Sequence, residues 1–117
     1  MTARRAGKVT DAQVELVRSM IAAVPPGRVT TYGDLAERAG LSSPRIVGWI
    51  LRTDGADLPW HRVVPASGRP SAPQAALQLT RLAEEGVPID DGRVLLRRCR
   101  LTSDEEPDLV DHPEQSG

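Results

Sequence analysis

TTYGDLAERAGLSSPRIVGWILR, residues 30–52, has the features of two short helices joined by a tight turn. Thr30 or Thr31 can cap the first helix, and Gly40 is well suited to end it. Ser43 can cap the second helix. Two helices joined in this way are typical of a helix-turn-helix unit, although simple core packing produces the same pattern.

The second predicted helix begins at Pro44, a favoured first helical residue, and ends near Arg52. Its apolar positions predict an inner face of Ile46, Val47, Ile50 and Leu51. Arg45, Trp49 and Arg52 are spaced i, i+4 and i+7, so they share the outer face. An exposed Trp between two Arg either contacts nucleic acid or packs against some other partner.

Upstream of this pair, the sequence predicts one more helix. Thr10 is a suitable N-cap, and apolar residues then recur at helical spacing until the helix ends before Pro25. Residues 53–74 contain four Pro and two Gly among polar residues, which predicts an irregular loop.

Downstream, a helix is predicted from about Gln74 to Glu85, with Gly86 after its end. Residues 87–89 and 93–96 then predict a β-hairpin closed by an Asp-Gly turn. The fold class expected is mainly α with a small β-hairpin, a winged helix-turn-helix-like DNA-binding domain.

Charge divides the chain into three parts. Six of the 16 acidic residues and no Lys or Arg follow Arg100, so residues 1–100 carry a net charge of +5. We therefore predict a flexible basic arm at residues 1–9, a DNA-binding domain at 10–100, and an acidic, disordered tail at 101–117.

Composition also limits the cellular setting. The single cysteine, Cys99, excludes an intrachain disulfide and is expected to be a buried or incidental thiol. The sequence offers neither a secretory signal nor an apolar run long enough for a membrane span. We expect a cytoplasmic monomer that makes no membrane contact and is nucleoid-associated in a bacterium.

Three strings, in order, resemble the O6-alkylguanine-DNA alkyltransferases. Residues 29–36 (VTTYGDLA) resemble the first DNA-contacting helix of that family, and residues 44–48 (PRIVG) resemble its recognition helix. Residues 59–64 (PWHRVV) resemble its active-site Pro-Cys-His-Arg-Val. The resemblance spans about Val14 to Leu96, and the three strings together are far more specific than any one of them.

Trp60 stands where the alkyl-accepting cysteine of that family would be. Alkyl transfer needs a thiolate nucleophile, which an indole cannot replace. This departure is typical of alkyltransferase-like proteins, which bind the same lesions without repairing them. The resemblance therefore implies that the protein is not an enzyme, and neither a cofactor nor a metal is expected.

The resemblance also implies which residues meet DNA. It makes Arg45 a finger that fills the gap left by an extruded base, and Tyr32 the residue that displaces the phosphate. Gly48 would let the helix backbone approach the minor groove, or would serve close helix packing instead. Thr31 and Ser43 are candidate phosphate contacts, although the capping role is the simpler explanation. The predicted DNA-binding residues are Thr31, Tyr32, Ser43, Arg45, Gly48, Trp49 and Arg52.

A pocket for the extruded base is implied as well. Its predicted residues are Tyr32, Pro59, Trp60, His61, Arg62, Val63, Arg69 and Ser71. The resemblance matches His61, and Glu85 of the Glu-Gly pair, to the His and Glu that polarise the thiol in that family. Because no thiol stands beside them here, His61 is expected to hold the pocket through hydrogen bonds. Some relatives carry an Arg two residues after the serine that matches Ser71. This chain lacks that Arg, because Pro73 stands there and the loop is shorter. Either Arg69 or Arg81 can substitute.

The function expected is recognition of O6-alkylguanine in duplex DNA, with the base flipped beside Trp60 and marked for nucleotide excision repair. The partners implied are duplex DNA containing O6-alkylguanine and nucleotide excision repair proteins. A transcriptional regulator of the winged-helix kind, which reads undamaged sequence through the major groove, is the alternative. A weaker alternative is a transferase or lyase that uses His61 and Glu85, against which Trp60 and the lack of a nucleophile or metal argue.

Overall fold

The computed structural model describes residues 9–71 and 73–102. The basic arm predicted at residues 1–9, apart from Val9, lies outside the described residues. So does the acidic tail predicted at residues 101–117, apart from Leu101 and Thr102, and Leu101 is buried. The helices are α1 Asp11–Ala22, α2 Tyr32–Ala39, α3 Pro44–Asp54, α4 Ala75–Glu84 and α5 Leu96–Cys99, with a 3₁₀ helix at Trp60–Arg62. The strands are β1 Thr30–Thr31, β2 Val63–Val64, β3 Ile89–Asp90 and β4 Arg93–Val94.

The prediction of a mainly helical chain with a small hairpin is confirmed. No helix in the part of the chain that the structure describes has the length and apolar character to cross a membrane.

The helix ends follow the local chemistry of their capping residues. Thr10 forms a capping box with Gln13 at the start of α1. Thr31, and not Thr30, caps α2, because its hydroxyl accepts a hydrogen bond from the backbone of Asp34. Gly40 ends α2 in the left-handed conformation, with φ of 71°, as expected for a glycine in this position. The turn between α2 and α3 is therefore fixed by residues that the sequence identifies.

The predicted irregular loop at residues 53–74 is wrong in its middle. It contains the 3₁₀ helix and then β2, which pairs in parallel with β1 in the register Thr30 to Val63 and Thr31 to Val64. Each strand has only two residues, too short to leave a period-two pattern in the sequence. This pairing carries the segment around Trp60 to the start of α2.

The hairpin prediction is confirmed at its turn and corrected at its end. Asp91 and Gly92 both have positive φ, 53° and 75°, as a type I′ turn requires. Leu96, however, begins α5 instead of ending the second strand. The Leu101 side chain is buried, and its backbone N–H donates to Val29 O at 2.8 Å. The role of the hairpin as a wing stays a prediction.

Two apolar clusters form the core. The larger lies beneath the first three helices and includes Val63, and Tyr32 packs against it. The smaller joins α4, the hairpin and α5, and includes Val64. Because adjacent residues in a strand face opposite sides, β2 contributes one valine to each cluster. The 3₁₀ helix immediately before β2 is therefore held between the two clusters.

Candidate nucleic-acid interface and base pocket

The outer face of α3 carries a continuous exposed stripe. Arg45 and Arg52 are exposed, and the Trp49 side chain is 47% exposed. Gly48 lies between them at one helical turn from Arg45, so the four residues share one face. We call Arg45, Gly48, Trp49 and Arg52 the α3 stripe. It presents two cations, an indole and a backbone without a side chain.

Gly48 has no packing reason to be glycine within the described structure. A Cβ built at this position would meet only the Arg52 guanidinium, at 3.5 Å, which is an ordinary van der Waals contact. Close helix packing, the alternative explanation for this glycine, therefore has no support in the described structure. Glycine in a helix interior costs about 1 kcal/mol relative to alanine.

Tyr32 lies at the first position of α2 and is half-buried against the larger core cluster. Burial raises the pKa of its phenol, and the positive charge of Arg52 opposes that rise. The start of α2 is thus electrostatically coupled to the end of the α3 stripe. Tyr32 and the stripe belong to one surface region.

The hydroxyls of Thr31 and Ser43 are both used as caps. Thr31 is 1% exposed, and its Oγ1 accepts from Asp34 N at 3.0 Å. Ser43 Oγ accepts from Arg45 N at 3.1 Å, at the start of α3. Both hydroxyls therefore have the capping role, the simpler of their two predicted roles.

The Glu85 carboxylate organises the 3₁₀ helix from the far end of α4. His61 Nε2 lies 2.8 Å from Glu85 Oε2, and the Arg62 guanidinium donates to both carboxylate oxygens at 3.0 and 2.7 Å. The hydrogen bonds from Arg62, and after them His61, hold the pKa of Glu85 at about 2, below its ordinary 4.5. Because an ionised carboxylate only accepts, His61 Nε2 carries the hydrogen of this contact.

Trp60 is half-buried, and its ring meets the ring of His61 almost at a right angle, with centroids 6.2 Å apart. His61 is buried, and among the described residues its Nδ1 has no hydrogen-bond partner. The dyad of His61 and Glu85 is thus assembled beside an indole.

The other predicted pocket residues are divided among different surroundings. Arg62 also donates to Val24 O at 2.9 Å, and with Pro59 it lines a groove against α1. Val63 is fully buried in the larger core cluster. Ser71 is exposed. Arg62 and Val63 therefore hold the 3₁₀ helix and β2 in place.

The structure separates the two candidate arginines. Arg69 donates to Asp91 O at 3.2 Å, at the hairpin turn. Arg81, on α4, places its guanidinium carbon 5.5 Å from the centroid of the Trp60 ring. That distance lies within the range of a cation–π contact. Of the two, it is Arg81 that contacts Trp60.

Gln78 is a residue of the site that the sequence analysis did not identify. It is buried, and its Nε2 donates to His61 O at 3.0 Å and to Val63 O at 2.8 Å. The available signal was a polar residue on the apolar face of α4, between Ala75 and Leu82. Gln78 ties α4 to the segment that carries Trp60.

Neither a reactive thiol nor a metal site is found among the described residues. Cys99 is 1% exposed, and burial raises the pKa of its thiol. Residues 9–71 and 73–102 contain no group of three His, Cys, Asp or Glu side chains that could hold a metal ion.

Known families and proteins resemble this chain over most of its described length. Residues 12–87 match the model of the 6-O-methylguanine DNA methyltransferase, DNA binding domain. The DNA base-flipping protein of Escherichia coli is 43% identical over 98 residues, which cover 77% of this chain and 74% of the relative. Alkyltransferase-like protein 1 of Schizosaccharomyces pombe is 35% identical over 80 residues, covering 62% of this chain and 74% of the relative.

Solved structures of an alkyltransferase-like protein and of a methyltransferase also match this chain. The crystal structure of S. pombe Atl1 in complex with damaged DNA containing O6-carboxymethylguanine superposes with a TM-score of 0.71 at 28% identity. The match covers 81% of this chain and 99% of that one. The O6-methylguanine-DNA methyltransferase of Pyrococcus kodakaraensis matches with a TM-score of 0.53 at 32% identity, over 68% of this chain and 48% of the other.

Removing the Glu85 charge should destabilise the protein in a pH-dependent way. The lowered pKa of Glu85 means that its contribution is complete above pH 4.5 and is lost as the pH falls from 4.5 to about 2. The shift corresponds to about 3 kcal/mol of unfolding free energy. Glu85→Gln should lose most of this at pH 7 and show a flatter pH dependence between pH 4.5 and 2, measured by urea unfolding.

The matched control is Glu84→Gln, which removes the same charge from the exposed neighbouring position. This variant should unfold like the wild type at every pH. Identical pH profiles for the wild type and Glu85→Gln would contradict the assignment.

Proposed function

The chain belongs to the family of the 6-O-methylguanine DNA methyltransferase DNA-binding domain, and on that premise we propose that it recognises O6-alkylguanine in duplex DNA without repairing it. The observation that carries the proposal is Trp60, which stands at the cysteine position of the family's Pro-Cys-His-Arg-Val string. The supporting pair of His61 and Glu85 is nevertheless assembled beside it. The site is thus built for holding a base and lacks the atom that would accept an alkyl group.

The absence of transfer follows from the available nucleophiles. Transfer to protein requires a thiolate that can reach the alkyl carbon. Cys99 does not qualify, because it is buried in the smaller core cluster and its thiol pKa is raised. An indole ring offers a flat apolar surface against which an alkylated base can stack.

We infer that DNA contacts the α3 stripe. Two arginines supply charge for the phosphates, and Gly48 lets the helix backbone come close to the groove. Arg45 leaves the first turn of α3 and would fill the gap in the base stack. Tyr32, at the start of α2, would push the phosphate so that the base rotates out.

Base flipping itself provides part of the selectivity. Extruding a base costs a few kcal/mol, and the cost is lowest for a damaged or badly paired base. The solved complex of S. pombe Atl1 contains O6-carboxymethylguanine. We propose that this chain likewise holds the flipped base beside Trp60 and marks it, as a monomer, for nucleotide excision repair proteins.

The direct test compares binding to matched duplexes with guanine or O6-methylguanine at one position. The wild type should bind the alkylated duplex about tenfold more tightly, a difference of about 1.4 kcal/mol. A labelled methyl group should stay on the DNA. Equal affinity for both duplexes, with preference for one sequence, would favour the regulator instead, and stable labelling of the protein would contradict the absence of transfer.

Gly48→Ala separates folding from binding. The variant should unfold at slightly higher denaturant concentration, since alanine favours the helix by about 1 kcal/mol and the added methyl group meets no backbone. Its affinity for every duplex should fall by about fivefold or more, because that methyl group would stand between the helix and the groove. Unchanged DNA affinity in a stable variant would place the DNA elsewhere.

Arg45→Ala and Tyr32→Ala test flipping. A finger residue contributes mainly to the flipped complex, so Arg45→Ala should narrow the gap between alkylated and normal duplex. A fluorescent base analogue next to the lesion should brighten less with either variant than with the wild type. Arg52→Ala is the matched control. It should weaken binding to both duplexes equally, and the slope of log affinity against log salt concentration should fall by about one unit. Full lesion preference in both variants would remove Arg45 and Tyr32 from the flipping step.

A further inference from the structure

Arg81 lies over Trp60 because its helix is anchored there. Gln78, one turn earlier on α4, donates from Nε2 to the carbonyls of His61 and Val63. Both bonds are buried, so they fix α4 against the segment that carries Trp60. This anchoring places Arg81 on the side of α4 near Trp60, and its guanidinium carbon lies 5.5 Å from the centroid of the Trp60 ring.

The Arg81 guanidinium keeps its hydrogen-bonding capacity. Its side chain is exposed, and within residues 9–71 and 73–102 it has no hydrogen bond or ion pair to another group. Glu85, four residues later on the same helix, is occupied by Arg62 and His61. Arg81 therefore offers N–H donors beside the Trp60 ring, against which the base is proposed to rest.

We propose that Arg81 is a specificity residue of the pocket, which donates hydrogen bonds to the N7 and O6 edge of the flipped base. The proposal rests on the proposed function. A guanidinium only donates, and its fork fits the two acceptors N7 and O6 of guanine. Alkylation at O6 leaves the N7 lone pair and an ether oxygen on this edge.

The same contact explains what the pocket would reject. Adenine presents N7 together with an amino donor, which faces the Arg81 donors unfavourably. Guanine methylated at N7 has lost the acceptor and carries a positive charge, which the guanidinium repels. The substrate class is therefore O6-substituted purines with a free N7.

The test pairs a protein change with a change of one atom in the base. Duplexes containing O6-methylguanine or O6-methyl-7-deazaguanine are titrated with the wild type and with Arg81→Ala. The wild type should bind the deaza duplex roughly tenfold more weakly, the value expected for one charge-assisted hydrogen bond. Arg81→Ala should bind the two duplexes equally, at about the affinity of the wild type for the deaza duplex.

Arg97→Ala is the matched control, since Arg97 is an exposed arginine on α5. This variant should lower the affinity for both duplexes to the same extent, so the tenfold difference between the two affinities should remain. Thermal unfolding of Arg81→Ala, expected to equal that of the wild type, excludes a general loss of structure.

Two results overturn the proposal. Either the wild type binds both lesion duplexes equally, or Arg81→Ala keeps the tenfold difference. If the wild type prefers O6-methylguanine to guanine but shows one of these results, only the role of Arg81 fails. If it shows no preference for O6-methylguanine, the proposed function fails and the role of Arg81 fails with it.

Discussion

The carboxylate of Glu85 is the interaction on which the site depends. It accepts hydrogen bonds from the Arg62 guanidinium and from His61, and a longer one from the backbone N–H of Gly27 at 3.4 Å. Arg62 in turn donates to Val24 O. One group therefore joins the end of α4, the 3₁₀ helix and the turn after α1. These segments are far apart in sequence, and neither core cluster includes the 3₁₀ residues themselves.

A partly buried charge is costly unless several donors satisfy it. Here the donors include an arginine fork on both oxygens, the strongest common arrangement for a carboxylate. Within the family, a pair like His61 and Glu85 supports a thiol. In this chain the pair lies beside Trp60, and we interpret it as a structural element that holds the 3₁₀ helix.

Local chemistry could be predicted from the sequence, and long-range contacts could not. The caps at Thr10 and Ser43, the Gly40 helix end and the Asp91-Gly92 turn each depend on a few adjacent residues. The α3 stripe follows from helical spacing alone. The parallel pairing of β1 with β2 and the helix α5 were missed, because short segments acquire their structure from distant partners. The choice between Arg69 and Arg81 likewise required the placement of α4 against Trp60.

Residues near the end of the described chain contact the start of α2, and this has a consequence for synthesis of the protein. Arg100 forms a two-pronged ion pair with Asp34, at 2.9 and 2.7 Å, and Leu101 bonds to Val29. These residues leave the ribosome after every other described element. A nascent chain therefore lacks this ion pair and this hydrogen bond near the start of α2 until residues 100 and 101 have been translated. The surface that carries Tyr32 is completed last.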